Sequence, residues 1–503
     1  MSLNPEPAAP EERAELDLPP KSYATAAEEA LSPASHASST DGTVEETKKR
    51  LRSKIDAVKA NGIQIPSSGD TESLEGVGQD ASPKSPTAKG HRRKGSRSST
   101  GSIGRKHGEQ IGAEVFEKHA NGNGHALISV KQPPQERERD RRTDLKRRNS
   151  ELKSGRQAGA GWAKSKIRFA PMNVPLQRRL QTLAVLMHTL SIVGGLAIFF
   201  FLCSIPLLWP ILLPYTVYVL FSNAGTSGEL SFRSERLRRL PVWSLFASYF
   251  PARLHRSQEL EPTRKYIFGY HPHGIISHGA FAAFATEALG FSQLFPGITN
   301  ALLTLDSNFR YPIYREYALR LGMASVSRES CENILSKGGP NGEGMGRAIT
   351  IVVGGARESL DARPGVIRLV LRRRKGFVKM AIRTGADLVP VLAFGENDVY
   401  DQVDGHSHPY IHKLQMLVKK VMGFTVPIFH ARGIFNYDVG MMPYRRPINI
   451  VVGRPIRVVQ DKHPDNDHIN EVHDKYIGEL LRLWEEHKDT FAKHRQGELE
   501  IVE

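Results

Sequence analysis

Cysteine is nearly missing from this 503-residue chain, which has only Cys203 and Cys331. Two cysteines cannot build a disulfide framework. They fit a reducing compartment, or a membrane protein facing one, better than a secreted domain. Aromatic residues are scarce at the start: the first 150 positions hold only Tyr23 and Phe116. With so little apolar surface to offset chain entropy, residues 1–165 are expected to form a disordered N-terminal tail. Charge is absent from 180–228, 49 residues without Asp, Glu, Lys or Arg. An uncharged run of that length disfavours a buried core helix of a soluble protein. The opening MSLNPEPAAPEERAE has no apolar stretch and is not a signal peptide, so entry to a membrane has to come from the internal segment.

The charge that is present is unevenly placed. Residues 1–83 carry net −7 and residues 84–179 net +16, in a chain of net +16. A basic chain invites a nucleic-acid-binding reading. Here the basic excess lies mostly in the tail, with no recognised fold and no interleaved aromatics, so no nucleic acid is expected as partner. RRKGS (Arg92–Ser96) and KRRNS (Lys146–Ser150) read as sites for basophilic kinases. The positive stretch is expected to attract anionic lipid, and phosphorylation to weaken that attraction. An inert solvated tail is the alternative.

Residues 180–228 read as a transmembrane helical hairpin. Leu183–Cys203 is 21 residues long, enough to span a hydrocarbon core of about 30 Å. A second run, to Phe221, is shorter and broken by Pro210 and Pro214. Lys164, Lys166, Arg168, Arg178 and Arg179 precede the pair. Arg233, Arg236, Arg238 and Arg239 follow it, so both ends are expected in the cytosol. A re-entrant loop that never crosses is the alternative. Arg236–Pro251 reads either as a segment lying in the membrane interface or as a domain-edge helix.

Residues 229–503 have the composition of one α/β domain. Lys265–Tyr270, Ala324–Ser327, Ala348–Val353, Val366–Leu371, Leu388–Phe394 and Ile448–Val452 read as buried strands. Gly279–Leu289, Gly376–Thr384 and Ile469–Phe491 have helical spacing.

His271-Pro272-His273-Gly274 directly follows the first of these strands, at the kind of edge where α/β folds place functional side chains. A histidine there suits general-base work near neutral pH. A structural histidine, or a metal site completed by His278, is the alternative, although no zinc spacing is present. Gly354-Gly355-Ala356-Arg357-Glu358 follows another strand. Its glycines could present N–H groups to an oxygen, with Glu358 at the rim, or form an ordinary turn. Lys375, Lys379 and Arg383 make a basic stripe suited to anionic phosphates or to a solvated face. Cys331 reads as a bystander thiol.

Taken together, the segments from about Leu180 to Asp489 resemble the type-2 diacylglycerol acyltransferase family, which includes monoacylglycerol and wax-ester acyltransferases. The blocks occur in order: Tyr249-Phe250-Pro251, His271-Pro272-His273-Gly274, Tyr311-Pro312 with Arg315, and Gly322 through Val326-Ser327-Arg328. They continue with Gly354-Gly355-Ala356-x-Glu358, Arg374-x-Gly376-Phe377-x-Lys379-x-Ala381, Gly385 and Leu388-Val389-Pro390. Phe394-Gly395-Glu396 and Gly453-Arg454-Pro455-Ile456 complete the set. The resemblance implies a glycerolipid-acyltransferase-like sheet with flanking helices. It implies acyl-CoA and diacylglycerol as substrates, triacylglycerol as product, and no cofactor or metal. It also implies residence in the endoplasmic reticulum membrane as a multi-pass protein, with lipid-droplet contact. His273 is then the base, His271 helps hold the loop, and Glu358 is the acid beside them. Wider relatives carry His-x4-Asp, but the residue five after His273 is His278. Arg328, Lys379 and Arg383 are implied for coenzyme A phosphates, and Phe201-Leu202 for neutral lipid. Monoacylglycerol or a long-chain alcohol is the alternative acceptor. A non-catalytic hairpin protein coating lipid droplets is the reading from another class. A homo-oligomer stays open.

If the tail binds lipid, the affinity of residues 84–179 for liposomes rises with anionic lipid and falls with salt. Indifference to both, in a flotation assay, sinks the idea.

Overall fold

The computed structural model describes residues 115–120, 126–131, 169–170, 174–402, 410, 415, 417 and 427–502. Ser96, Ser150, Lys164, Lys166 and Arg168 lie outside them, as does most of the tail. The described residues build a mixed α/β structure around a nine-stranded sheet. Its strands are β1 (Phe116–Ala120), β2 (Ala126–Val130), β3 (Arg253–Arg256), β4 (Tyr266–His271) and β5 (Thr299–Thr304). The rest are β6 (Ala324–Ser325), β7 (Arg347–Val352), β8 (Asp387–Phe394) and β9 (Asn449–Val452). Their order across the sheet is β1-β2-β3-β9-β8-β4-β7-β5-β6.

β8, β4, β7, β5 and β6 run parallel to one another, and β9 pairs antiparallel with β8. Parallel strands are covered on both faces, which is why β4 and β8 are buried along their whole length. The arrangement decides where the site forms. β4 lies between β7 and β8, so the loops leaving the carboxyl ends of these three strands converge at one edge. Those loops are His271–Gly274, Val353–Glu358 and Gly395–Glu396.

One face of the sheet is covered by aromatic residues including Trp243, Phe246, Phe250, Phe281 and Phe284. The other is covered by the helices Arg328–Ser336, Gly376–Thr384 and Asn466–Phe491. The longest helix is capped by Asp465, whose side chain accepts the His468 N–H at 2.6 Å. It buries Ile469, Val472, Tyr476, Leu480, Leu483 and Trp484 on one stripe.

Several expectations are corrected. The helix expected over Gly279–Leu289 is a short turn, His278–Ala280, followed by a π-turn, Phe281–Ala285. Val366–Leu371 contributes a strand not to the main sheet but to a separate parallel pair, Arg368–Val370 with Glu500–Val502. Pro241–Tyr249 is a helix whose Trp243, Phe246 and Tyr249 are core residues, as the domain-edge reading expects. Within the stretch expected to be disordered, β1 and β2 pair antiparallel and extend the sheet through β2 and β3. Leu127 is buried, and Glu117 pairs with Arg253 at 2.8 Å.

The apolar segment forms α1 (Leu176–Thr189), α2 (Ser191–Cys203) and α3 (Trp209–Phe221). Among the described residues no single helix is long and apolar enough to cross a membrane. α1 and α2 meet the length and composition requirement only together, across a 68° bend. Polar ties to the domain favour that bend. His188 Nδ1 lies 3.0 Å from Tyr317 Oη, and the Gln181 amide donates to Ser248 Oγ. Buried arginines grip both ends. Arg445 donates to Gln181 Oε1, the Arg178 carbonyl and Thr182 Oγ1. Arg315 donates to the carbonyl of Val219 at 3.0 Å and to Ser222 Oγ, at the C-terminus of α3, where a cation is favoured. Between these grips the surface is apolar. Leu183, Val193, Phe200, Phe201, Leu207, Ile211 and Phe221 are all at least 59% exposed.

Arg315→Ala strands those acceptors and should lower stability by about 2–4 kcal/mol. A melting temperature of the detergent-solubilised variant equal to wild type contradicts the assigned role.

Candidate active site

The strand Tyr266–His271 delivers its last side chain inward. His271 is fully buried, and its Nε2 lies 2.9 Å from Tyr476 Oη. The Tyr476 hydroxyl donates to the Gly269 carbonyl at 3.1 Å. It therefore accepts from His271, which must carry its proton on Nε2. Gly269 makes this possible, because a Cβ there would sit 2.0 Å from the phenolic oxygen. Burial pushes the His271 pKa down to about 3, so the ring is neutral.

Two residues on, His273 is only partly covered. Its Nδ1 is 3.0 Å from the carbonyl oxygen of Gly274. A carbonyl only accepts, so Nδ1 carries the hydrogen and Nε2 keeps a lone pair. That Nε2 has no hydrogen-bond partner among the described residues. Burial lowers the His273 pKa, and the bond to Gly274 works against the shift. A neutral imidazole with a bare Nε2 is the form a general base needs.

Glu358 sits beneath the loop. One carboxyl oxygen accepts the main-chain N–H of His273 at 2.5 Å and the other the N–H of Val370 at 3.0 Å. The expectation of a carboxylate orienting the imidazole is therefore corrected: Glu358 holds the backbone of His273, not its ring. Burial raises its pKa to about 7, against the pull of the two N–H groups.

A second buried carboxyl, Glu396, lies on the other side. Its Oε2 accepts the Tyr270 O–H at 2.6 Å and the Gly279 N–H at 2.9 Å. Burial also raises its pKa to about 7, opposed first by the bond from Tyr270. Tyr270, Glu396 and Tyr476 were not anticipated as site residues. A glycine inside the strand KYIFGY was the one local sign of a close approach.

His278 does not join the other histidines. It stacks on Phe250 with centroids 4.8 Å apart, and its Nε2 lies 2.9 Å from Tyr400 Oη. Among the described residues no group of three or more His, Cys, Asp or Glu is gathered to hold a metal. Cys331 is buried in the core, and burial pushes its thiol to about 12. The basic residues are separate from the loop. Arg328 and Arg383 share Glu332, at 3.1 and 3.2 Å, while Lys379 is exposed. Arg383 lies in the last turn before β8, whose first residue pairs with Tyr266. Five strand residues, roughly 16 Å, separate that level from His271. Phe201 and Leu202 lie on α2, with Phe201 66% exposed. The apolar segment packs on the chain just beyond the loop: His188 of α1 stacks on Phe281 at 3.7 Å and meets His278 edge-on at 6.3 Å.

The sheet edge thus presents one poised imidazole on a loop held by buried carboxyls. The diacylglycerol acyltransferase family profile matches residues 200–502. The chain belongs to the diacylglycerol acyltransferase family. Diacylglycerol O-acyltransferase 2A of Umbelopsis ramanniana is 51% identical over 67% of this chain and 94% of its own. Diacylglycerol O-acyltransferase 1 of Schizosaccharomyces pombe is 47% identical, over 64% and 91%. The 2-acylglycerol O-acyltransferase 1 of Bos taurus is 45% identical, over 65% and 97%. A solved 1-acyl-sn-glycerophosphate acyltransferase from Thermotoga maritima is similar at 12% identity and a TM-score of 0.28, over 61% of this chain and 97% of its own. Membership makes the protein an acyltransferase, and the resemblance read from the ordered blocks is correct.

The buried carboxyls give stability a pH dependence. Below about pH 4.5 folded and unfolded chains both hold these protons. Between 4.5 and 7 the unfolded chain has released them while the folded chain keeps them, so stability falls as pH rises through that window. The loss is roughly 3 kcal/mol per carboxyl. Thermal melts from pH 5 to 8 should show a shallower decline for Glu358→Gln; an unchanged slope contradicts the assignment.

Proposed function

We propose that the protein is an acyl-CoA-dependent diacylglycerol O-acyltransferase that forms triacylglycerol, with His273 as general base. The observation that carries this is the His273 imidazole, neutral, partly exposed and bare at Nε2, at the carboxyl end of the central strand β4. The lipid hydroxyl attacks the thioester carbonyl as Nε2 takes its proton. The C–O bond forms, the C–S bond breaks, and the departing thiolate of coenzyme A receives the proton from the imidazolium. No acyl-enzyme is needed. Main-chain N–H groups of the Gly354–Gly355 turn, or a basic side chain, would steady the oxyanion. His271 and Glu358 hold the loop. Lys379, with Arg328 and Arg383, would meet the coenzyme A phosphates.

The apolar surface of α1–α3, gripped by Arg445 and Arg315 and flanked by positive charge, supports embedding in the endoplasmic reticulum membrane. Phe201 and Leu202 would face neutral lipid. Both chain ends would stay cytosolic, and the same surface would suit a lipid droplet. Such an anchor brings a water-soluble thioester and a bilayer-dissolved alcohol to one imidazole.

The bovine 2-acylglycerol O-acyltransferase relative favours one second reading, with monoacylglycerol as acceptor. Microsomes given labelled acyl-CoA with each acceptor in parallel should yield triacylglycerol fastest from diacylglycerol. Faster acylation of monoacylglycerol reverses the assignment. His273→Ala should keep membrane association and lose turnover by about 10²–10⁴-fold; wild-type turnover removes His273 from the mechanism.

A further inference from the structure

Loop histidines that act as bases usually have a carboxylate on the second ring nitrogen, holding tautomer and angle. Here that place is filled by the carbonyl oxygen of Gly274, 3.0 Å from His273 Nδ1. A main-chain carbonyl of a short loop is a weak orienting group unless its peptide is itself fixed. What fixes it is the question the site leaves open.

The loop is tied at three points. Glu358 holds the N–H of His273, before the ring. The Ser277 hydroxyl donates to the carbonyl of His273 at 2.7 Å. The third tie is Glu396. Gly274 has φ +61°, and a Cβ on it would lie 2.8 Å from Glu396 Cγ, so the peptide carrying the orienting carbonyl rests on this side chain. The same carboxyl accepts the N–H of Gly279, five residues further on. It thereby supports the start of the loop's second half and fixes the end of it. Tyr270, the strand residue just before the loop, locks the carboxyl with a 2.6 Å hydrogen bond. Glu396 is 1% exposed and comes from the neighbouring strand's exit loop, so it moves with the sheet.

We propose that Glu396, locked by Tyr270, is the positioning residue that sets the His273 ring by fixing the Gly274 peptide. Its buried carboxyl takes its hydrogen bonds from Tyr270 and Gly279, not from the ring. It acts through the backbone, replacing the direct carboxylate–imidazole contact that this loop lacks. The inference rests on His273 being the base.

The test uses the full-length protein in microsomes, with acyl-CoA and diacylglycerol varied separately. Glu396→Ala removes both the support under Gly274 and the acceptor for Tyr270 and Gly279, and should lower kcat by about 10- to 100-fold, with both KM values within threefold of wild type. Tyr270→Phe keeps the buried ring and removes only the lock, so it should lower kcat by a smaller factor. It is also the variant to read if Glu396→Ala folds poorly. The double variant His273→Ala/Glu396→Ala should be no slower than His273→Ala alone, because a positioning residue has nothing left to position. A merely structural role would instead add its loss to that of His273→Ala. Wild-type kcat in both single variants, a KM effect without a kcat effect, or additive losses in the double variant would each overturn the inference. If His273→Ala itself keeps wild-type turnover, the base assignment fails first. If His273→Ala is inactive while Glu396→Ala and Tyr270→Phe are not, only the role of Glu396 fails.

Discussion

The hydrogen bond between His273 Nδ1 and the Gly274 carbonyl decides which edge of the ring chemistry can use. With the proton held on Nδ1, the lone pair is left at Nε2. Around this bond the molecule is built as a set of supports. Glu358 takes the N–H of the same residue, Tyr476 takes the neighbouring imidazole, and Glu396 underlies the next peptide. Parallel pairing of β4 with β7 and β8 is what lets three sequence-remote loops supply those supports at one edge.

The two loop histidines show how neighbours of one type acquire different roles. His271 ends a strand whose side chains are all buried, so it is committed to Tyr476 and kept neutral. His273 lies past Pro272, where the chain has left the sheet. Buried carboxyls beneath such a loop are an unusual choice, since each is expensive to ionise there. Their main-chain N–H partners offset part of that penalty and tie loop geometry to the packed interior.

Much of this was legible in the sequence, for reasons that differ by element. β4, β7, β8 and β9 are continuous apolar runs, and a parallel sheet covered on both faces demands such runs. His273 and Glu358 stood out because each follows such a strand at a glycine-marked turn. Tyr476 was legible only as one apolar position among several on a helix, because nothing local reveals that its hydroxyl reaches Gly269. Glu396 appeared in an ordered motif without a role. Arg315 and Arg445 reach partners 96 and 264 residues away, and no local pattern encodes such pairings. The antiparallel pair β1–β2 was hidden because its few apolar residues are diluted in polar sequence. Pairing with β3 supplies the stability that its composition lacks.

That strand pair changes what the N-terminal region can do. Because Val130 belongs to a strand of the catalytic sheet, the sequence around Ser150 is leashed from a fixed post and not from a distant chain end. Twenty residues separate the two, so whatever path the chain takes, Ser150 stays within about 70 Å of that post. A phosphate added there would exert its charge within that reach of the sheet in every molecule.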